Sequence, residues 1–594
     1  MDGKWSLKEL YSGFDSKEYK EDLKKLEIKI NNFSNFAKSL IDSQDDVVKA
    51  LEEHINYLNE FKELSNRLLM YTNLIVSVDT KNTIALKNIG IIETLLSKTA
   101  DTDAKLCKWI VGIEDLDNII EKSELLKEHR FYFSEVTEMS KYVLSDKEEL
   151  IIAKMRNTGS AAWSKLTDLE TSSLLVDIEL DGEKKQLPLS MVRNLAFDSD
   201  ANVRKTAYEA EIKSYKKIEN SVAASLSGIK GEVITVCDMK GYKSPLAETL
   251  LYSRMSEKSL NVMIEAMKES LPAFEKYHKR KAEILGHKNG LPFYDLFAPL
   301  KGGDKTYSFE EAKQFILDNF ATFSDKLSAF AKRAFDNNWV DVYPREGKVG
   351  GAFCENLHMI GESRIMLNFG GNLTDIITLA HELGHGYHGD CLMQESAINA
   401  DYPMPIAETA STFCETIVKK AAIKNGTKLE AFSIIEAELS DCAQIIVDIL
   451  SRFLFESEVF EKRKEGALSA DELKEIMINA QKATYGEGLD SNYMHPYMWA
   501  CKPHYYYASE NFYNFPYAFG LLFAKGLYAE YLKRGNEFVK AYDELLSVTG
   551  KNKLIDVTKL MNIDIESKEF WKNSLKTIEE DIEKFIEISK EIYK

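Results

Sequence analysis

The sequence predicts a mostly α-helical protein carrying one small β-sheet island beside a histidine-rich helix. Three observations predict it. Proline is rare, 11 in 594 residues, and glycine modest at 30, so little interrupts long helices. Apolar residues recur at three- and four-residue spacing over most of the chain. Strand signals are confined to two stretches, near residues 172–190 and 348–369.

In chain order, residues 17–130 predict successive amphipathic helices, with polar breaks near Thr80–Asn82 and Ala100–Thr102. In "SSLLVDIELDGEKKQLPLS", Val176, Ile178 and Leu180 alternate with Leu175, Asp177 and Glu179 ahead of Asp181-Gly182, a hairpin signature. "SMVRNLAFDSDANVRKTAYEAEI" returns to helix, and Pro292, Pro299 and Gly302-Gly303 mark a second break. "KVGGAFCENLHMIGESRIMLNF" then predicts strands and turns. Beyond Asp375 the chain is expected to be helical to its Lys/Glu-rich end, from Lys568.

Composition narrows function. The formal charge of −19 repels nucleic-acid phosphate and anionic membrane, so neither is an expected partner. No apolar run approaches the roughly 18 residues of a membrane span, and "MDGKWSLKEL" lacks the basic-then-apolar pattern of a signal peptide. Seven scattered cysteines without a CxxC pair suit a reducing compartment, so the expected location is cytoplasmic.

The chain has ten histidines, and three of them fall in "HELGHGYH". Thr374 is a candidate N-cap with Asp375 in the first helical turn. His381 and His385 are four apart and share a helix face, where two imidazoles can hold one Zn²⁺. Glu382 follows His381 and is placed to take a proton from an attacking water. Gly384 and Gly386 each cost about 1 kcal/mol relative to alanine inside a helix, which close approach of another backbone or of substrate would explain.

A catalytic zinc needs a third protein ligand. His388 is unsuited, because its Cα lies roughly 10.5 Å along the axis from that of His381; a packed or ligand-supporting role is expected instead. "PMPIAETASTFCE" supplies Glu408, expected in the first turn of a helix after Pro403 and Pro405. Glu415 lies seven residues on, on the same face, as the carboxylate that orients a ligating histidine. Asp390, Glu395 and Asp401 are weaker rivals for the third position.

These motifs, with "WSLKELY" at Trp5–Tyr11 and "IMLNFGGNLTDIITLAHELGH", resemble the thimet oligopeptidase superfamily of zinc metallopeptidases, in its oligoendopeptidase F branch. The resemblance covers nearly the whole chain. It implies a two-lobed helical ellipsoid with a deep central channel, admitting only short peptides. The expected division is a helical lobe over residues 1–190, ending in the hairpin, and a catalytic lobe over 191–594.

Peptide hydrolysis also needs donors for the tetrahedral oxyanion, and Tyr hydroxyls and a His can supply them. In the aromatic block Trp499–Gly520, Tyr513 and Tyr517 are four apart, as on one helical face, and His504 lies upstream; His495 is its rival. The resemblance implies oxyanion and substrate-contact roles for His504, Tyr513 and Tyr517. The sequence departs from the thimet branch at Gly520, where that branch carries a further Tyr. Gly350, Gly351, Ala352 and Phe353 form the expected substrate edge, where glycine permits close backbone approach and a strand edge can pair with an extended peptide. The strand Arg364–Phe369 should lie beside it.

The sequence thus predicts a one-zinc endopeptidase for short peptides. An exopeptidase on the same fold and a non-catalytic helical peptide-binding protein are the alternatives.

Overall fold

A computed structural model describes residues 3–43, 46–180, 182–300 and 305–593. Helices dominate, and the described strands form two small sheets. β1 (Leu175–Leu180) and β2 (Glu183–Pro188) make the expected antiparallel hairpin, with Val176 and Ile178 buried and their neighbours exposed. Asp181 of its turn, and Gly302-Gly303 of the second break, lie outside the described residues; Gly182 takes the left-handed φ of +78° that the turn requires. β3 (Val340–Asp341), β4 (Phe353–Leu357) and β5 (Glu362–Met366) form the second sheet in the order β3-β5-β4. β5 pairs parallel with β3 and antiparallel with β4, placing Phe353 opposite Met366.

The N-terminal helices are Lys17–Asp42, Val47–Val78, Thr83–Leu96 and Ala100–Val111. The break at Thr80–Asn82 is where it was expected. The second break falls at Ser97–Thr99, next to the expected Ala100–Thr102, where a single 3₁₀ turn joins the two helices. The region after Asp375 is not uniformly helical. Residues 486–514, broken by Gly486, Gly488, Pro496 and Pro503, form turns and short 3₁₀ segments before the Phe515–Arg534 helix.

Contacts cluster the chain into two compact units, each discontinuous in sequence. The first comprises residues 1–141, 304–419 and 531–563; the second comprises 142–303, 420–530 and 564–594. The contiguous lobes expected from sequence, 1–190 and 191–594, follow a different division: the chain leaves and re-enters each unit, and such long-range returns leave no local mark.

In the first unit, Leu10, Tyr11, Tyr19, Leu68 and Tyr71 pack into one core cluster that also holds Leu357 of β4. Burying each such side chain contributes about 1.5–3 kcal/mol. The N-terminal "WSLKELY" segment is clamped to β5 by the fully buried Arg364, whose Nε donates to the Ser6 carbonyl at 2.5 Å while its guanidinium meets Glu9 at 2.9 Å and Glu362 at 2.8 Å. A buried guanidinium is tolerated only when paired in this way. In the second unit the long helices Glu257–Ile284 and Lys568–Ile592 pack together, with the Tyr277 and Phe585 rings 5.2 Å apart.

Candidate active site

The "HELGHGYH" motif lies on the helix Leu373–Cys391. Its N-cap is Asn372, not Thr374. The Asn372 side chain accepts from the Asp375 N–H at 2.9 Å, and the Asp375 carboxylate accepts from the N–H groups of Asn372 (3.0 Å) and Gly370 (2.9 Å). This reciprocal box satisfies donors that Thr374, one residue inside the helix, could not reach.

Glycine lets the next helix come close. A Cβ on Gly384 would stand 2.5 Å from the Ala410 carbonyl oxygen, and one on Gly386 would stand 2.7 Å from the Phe330 ring. The chain after Pro403 makes one helical turn, Met404–Ala407, and then the helix Thr409–Asn425. Glu408 sits at the junction between the two, rather than inside a first turn as its spacing from Pro405 predicts. That junction directs its carboxylate back at the histidine pair.

The three candidate ligands converge. His381 Nε2 and His385 Nε2 are 3.1 Å apart, and Glu408 Oε2 lies 3.2 Å from the first and 3.4 Å from the second. A tetrahedral zinc with bonds of about 2.0–2.1 Å has donor–donor edges of roughly 3.3–3.4 Å, so this donor set fits such an ion. Three ligating groups on one small triangle, two imidazoles and a carboxylate, are also the chemistry a catalytic zinc site uses.

Surrounding groups hold these side chains. Glu415 accepts from His381 Nδ1 at 2.5 Å and pairs with Lys419 at 2.7 Å, which leaves Nε2 of His381 for a metal. Ser411 donates to Glu408 Oε2 at 2.8 Å. Asn356 of β4 donates to the His385 carbonyl at 3.1 Å and accepts from Ser363 at 2.8 Å, tying the sheet to the helix. Sequence reasoning missed Asn356, Ser411 and Lys419; the i+3 step from Glu408 to Ser411 and the i+4 step from Glu415 to Lys419 were available signals.

The electrostatics favour a cation. Burial would raise the Glu408 carboxyl, yet hydrogen bonds from His381 and His385 hold it well below the usual range. Burial likewise opposes ionisation of Glu415, and Lys419 with His381 holds it at about 2. Burial pushes Glu382 up, with the two histidines opposing.

His388 is not part of the converging group. It stacks on Tyr402 at 4.0 Å and its Nε2 contacts Thr549 Oγ1 at 2.8 Å, so its ring is engaged in packing. Burial lowers it to about 3, keeping it neutral. The rival carboxylates are engaged elsewhere: Asp390 by Arg333, Glu395 by Lys551 and Asp401 by Lys62.

Gly350 and Gly351 lie in a bend just before β4, exposed, with nothing within 4 Å of a Cβ built on either. Gly351 has φ +80°, which disfavours any other residue. β4 is an edge strand, hydrogen-bonded only to β5 among the described strands. Ala352 precedes it, and Phe353 begins it against Trp5, ring centroids 6.2 Å apart.

In the second unit, His504 sits in the 3₁₀ turn Pro503–Tyr506 and stacks on Tyr513 at 4.6 Å; Tyr513 meets Tyr517 edge-on at 5.9 Å. The structure brings these three rings together. It places only Tyr517 on the Phe515–Arg534 helix, with Tyr513 in the turn before it, so the two do not share a helix face as their spacing predicts. Burial lowers His504 below the ordinary imidazole range, and its Nδ1 has no hydrogen-bond partner among the described residues. The rival His495 is buried against Glu211 at 3.2 Å.

A helix that carries two imidazoles and a glutamate, completed by a carboxylate from the next segment, matches the donor set of a metallopeptidase site. A family model described as Peptidase family M3 matches residues 194–577, and one described as Oligopeptidase F matches residues 111–175. The chain belongs to peptidase family M3, in its oligoendopeptidase F branch. Oligopeptidase PepF of Bacillus subtilis is 26% identical over 593 residues, spanning 98% of this chain and 87% of that protein. An oligoendopeptidase F homologue of Borreliella burgdorferi is 25% identical, spanning 96% of each. The fold matches solved structures from Chlamydophila abortus (TM-score 0.86, 23% identity, 99% of this chain and 98% of that one) and of oligoendopeptidase-F from Enterococcus faecium (TM-score 0.72, 18% identity, 97% and 99%).

Proposed function

We propose that this protein is a cytoplasmic zinc endopeptidase that cleaves internal bonds of short peptides. The observation that carries the proposal is the triangle of His381 Nε2, His385 Nε2 and Glu408 Oε2, with edges of 3.1–3.4 Å and Glu382 beside it in sequence. His381, His385 and Glu408 would hold one zinc ion, which when bound would supply Lewis-acid polarisation of the scissile carbonyl and a lowered pKa for the attacking water.

The chain's own groups do the rest. Glu382 accepts the proton of the attacking water on its carboxylate and delivers it to the leaving amine nitrogen. Glu415 fixes the His381 ring through Nδ1. The open edge of β4 pairs with the extended substrate backbone, and Gly350, Gly351, Ala352 and Phe353 leave room for it. His504, Tyr513 and Tyr517 donate hydrogen bonds to the oxyanion. Seven cysteines, none in a disulfide, support a reducing compartment, and among the described residues no helix is long and apolar enough to cross a membrane.

The test is mass spectrometry of products from a mixed pool of short peptides, with both termini free or blocked, with and without chelator. Internal cleavage that survives blocking and stops with chelator is expected. Cleavage abolished by blocking would make the enzyme an exopeptidase, and no cleavage at all would leave a binding protein.

A further inference from the structure

The second unit holds a cavity of about 230 Å³ that the mechanism above does not use. Phe197, Phe293 and Phe297 supply its apolar wall. Its charged lining is nearly balanced: Arg193 pairs with Glu211 at 3.4 Å, His495 with Glu211 at 3.2 Å, Arg204 with Asp295 at 2.7 Å, and Asp448 with Arg452. Lys502 is the exception. It is half-buried on the cavity lining, and its ammonium has no ion-pair or hydrogen-bond partner among the described residues. A desolvated ammonium without a counter-ion is costly unless something supplies one.

A second observation points the same way. Gln444 and Asp448, both on the lining, are the first and last residues of a π-helical turn inserted between the helices Lys428–Ala443 and Ile449–Arg463. Such turns are uncommon, and where they occur they often re-aim side chains at functional sites. Asp448 is held by Arg452, but the Gln444 amide has no partner among the described residues, so a neutral donor lines the same cavity as the unpaired cation. Size narrows the ligand. An apolar cavity of about 150 Å³ takes benzene, so this one has room for a ring and a short acid chain but not for a peptide.

We infer that this cavity recognises a carboxylate carried on an aromatic or bulky apolar body, with Lys502 as its ion partner and Gln444 as a hydrogen-bond donor. Burial, together with the charges of Arg452 and Arg193, holds the Lys502 ammonium below its ordinary range, as expected of a cation that an added carboxylate would stabilise. Two sources share this chemistry: the C-terminal residue of a peptide, or a free small aromatic acid. The peptide source rests on the peptidase function proposed above, since Lys502 lies two residues before His504 on one segment; the site itself does not.

The test is calorimetric titration of 3-phenylpropionate and of its amide into the full-length protein and its K502Q and K502R variants. The acid is expected to bind the wild type at least about tenfold tighter than the amide, a preference typical of a partly buried charge pair. K502Q should lose that preference and K502R should keep most of it. Equal affinity of acid and amide for the wild type, or an undiminished preference in K502Q, would overturn the site. The wild-type comparison decides even if K502Q folds poorly, and none of these arms needs turnover, so the outcome stands apart from that of the peptidase test. Peptides ending in phenylalanine, as free acid and as amide, then separate the sources. A KM raised about tenfold by amidation in the wild type but not in K502Q, with kcat little changed, assigns the site to the peptide terminus. An unchanged KM alongside tight 3-phenylpropionate binding assigns it to a free acid.

Discussion

The histidine helix of the first unit and the aromatic block of the second are built on opposite principles. Around His381 and His385 the polar atoms are aimed: Glu415, Ser411 and Asn356 each make a directed hydrogen bond to one of the three converging residues or its backbone. Around His504 the order comes from ring packing, with Tyr513 stacked on the imidazole, Tyr517 edge-on to Tyr513, and Nδ1 of His504 lacking a partner among the described residues. The first arrangement holds donors at fixed separations, as a metal demands. The second packs rings face to face and edge to face, and buries an imidazole nitrogen that has no hydrogen-bond partner among the described residues.

The sharpest way to break this comparison is to remove a vertex of the aimed site. Glu408→Ala should abolish stoichiometric zinc and, with it, detectable turnover; the check is metal analysis by mass spectrometry after dialysis. Retained zinc would move the third ligand elsewhere. The ring-packed site should behave differently. Tyr513→Phe and Tyr517→Phe should keep zinc, and the one that donates to the oxyanion should lower kcat by about 10²–10³-fold with little change in KM. A loss confined to KM would recast these tyrosines as substrate-binding groups.

Smaller effects sharpen the contrast. Glu415→Gln removes the charge behind His381 Nδ1, and metal affinity or activity should fall about 10–100-fold, read by competition with a chelator of known affinity. Gly384→Ala must push its Cβ against the Ala410 carbonyl, and should destabilise the fold by about 1–3 kcal/mol in denaturant titration. A neutral result there would mean that the Thr409–Asn425 helix need not approach so closely.

The same contrast governs what could be read from sequence. Helix and strand positions follow local rules, so the long N-terminal helices, the β1–β2 hairpin and the β4–β5 pair appear in the apolar spacing. His381, Glu382 and His385 were legible because one helix fixes all three, and Glu408 with Glu415 because the next helix is near in sequence. The Asn372 cap was missed because Thr374 and Asn372 are both competent caps and only the reciprocal bond with Asp375 separates them. The turn at Tyr513 was missed because an aromatic run reads as helix until backbone geometry is known. The discontinuous pairing of chain segments in the two units has no local signature, since it depends on residues hundreds of positions apart.

The central claim is tested most directly by the Glu382→Gln variant, measured for zinc content and peptide turnover on the same sample. One zinc per chain with kcat lowered by about 10²–10⁴-fold is the predicted result. Near-normal turnover with zinc retained would contradict it.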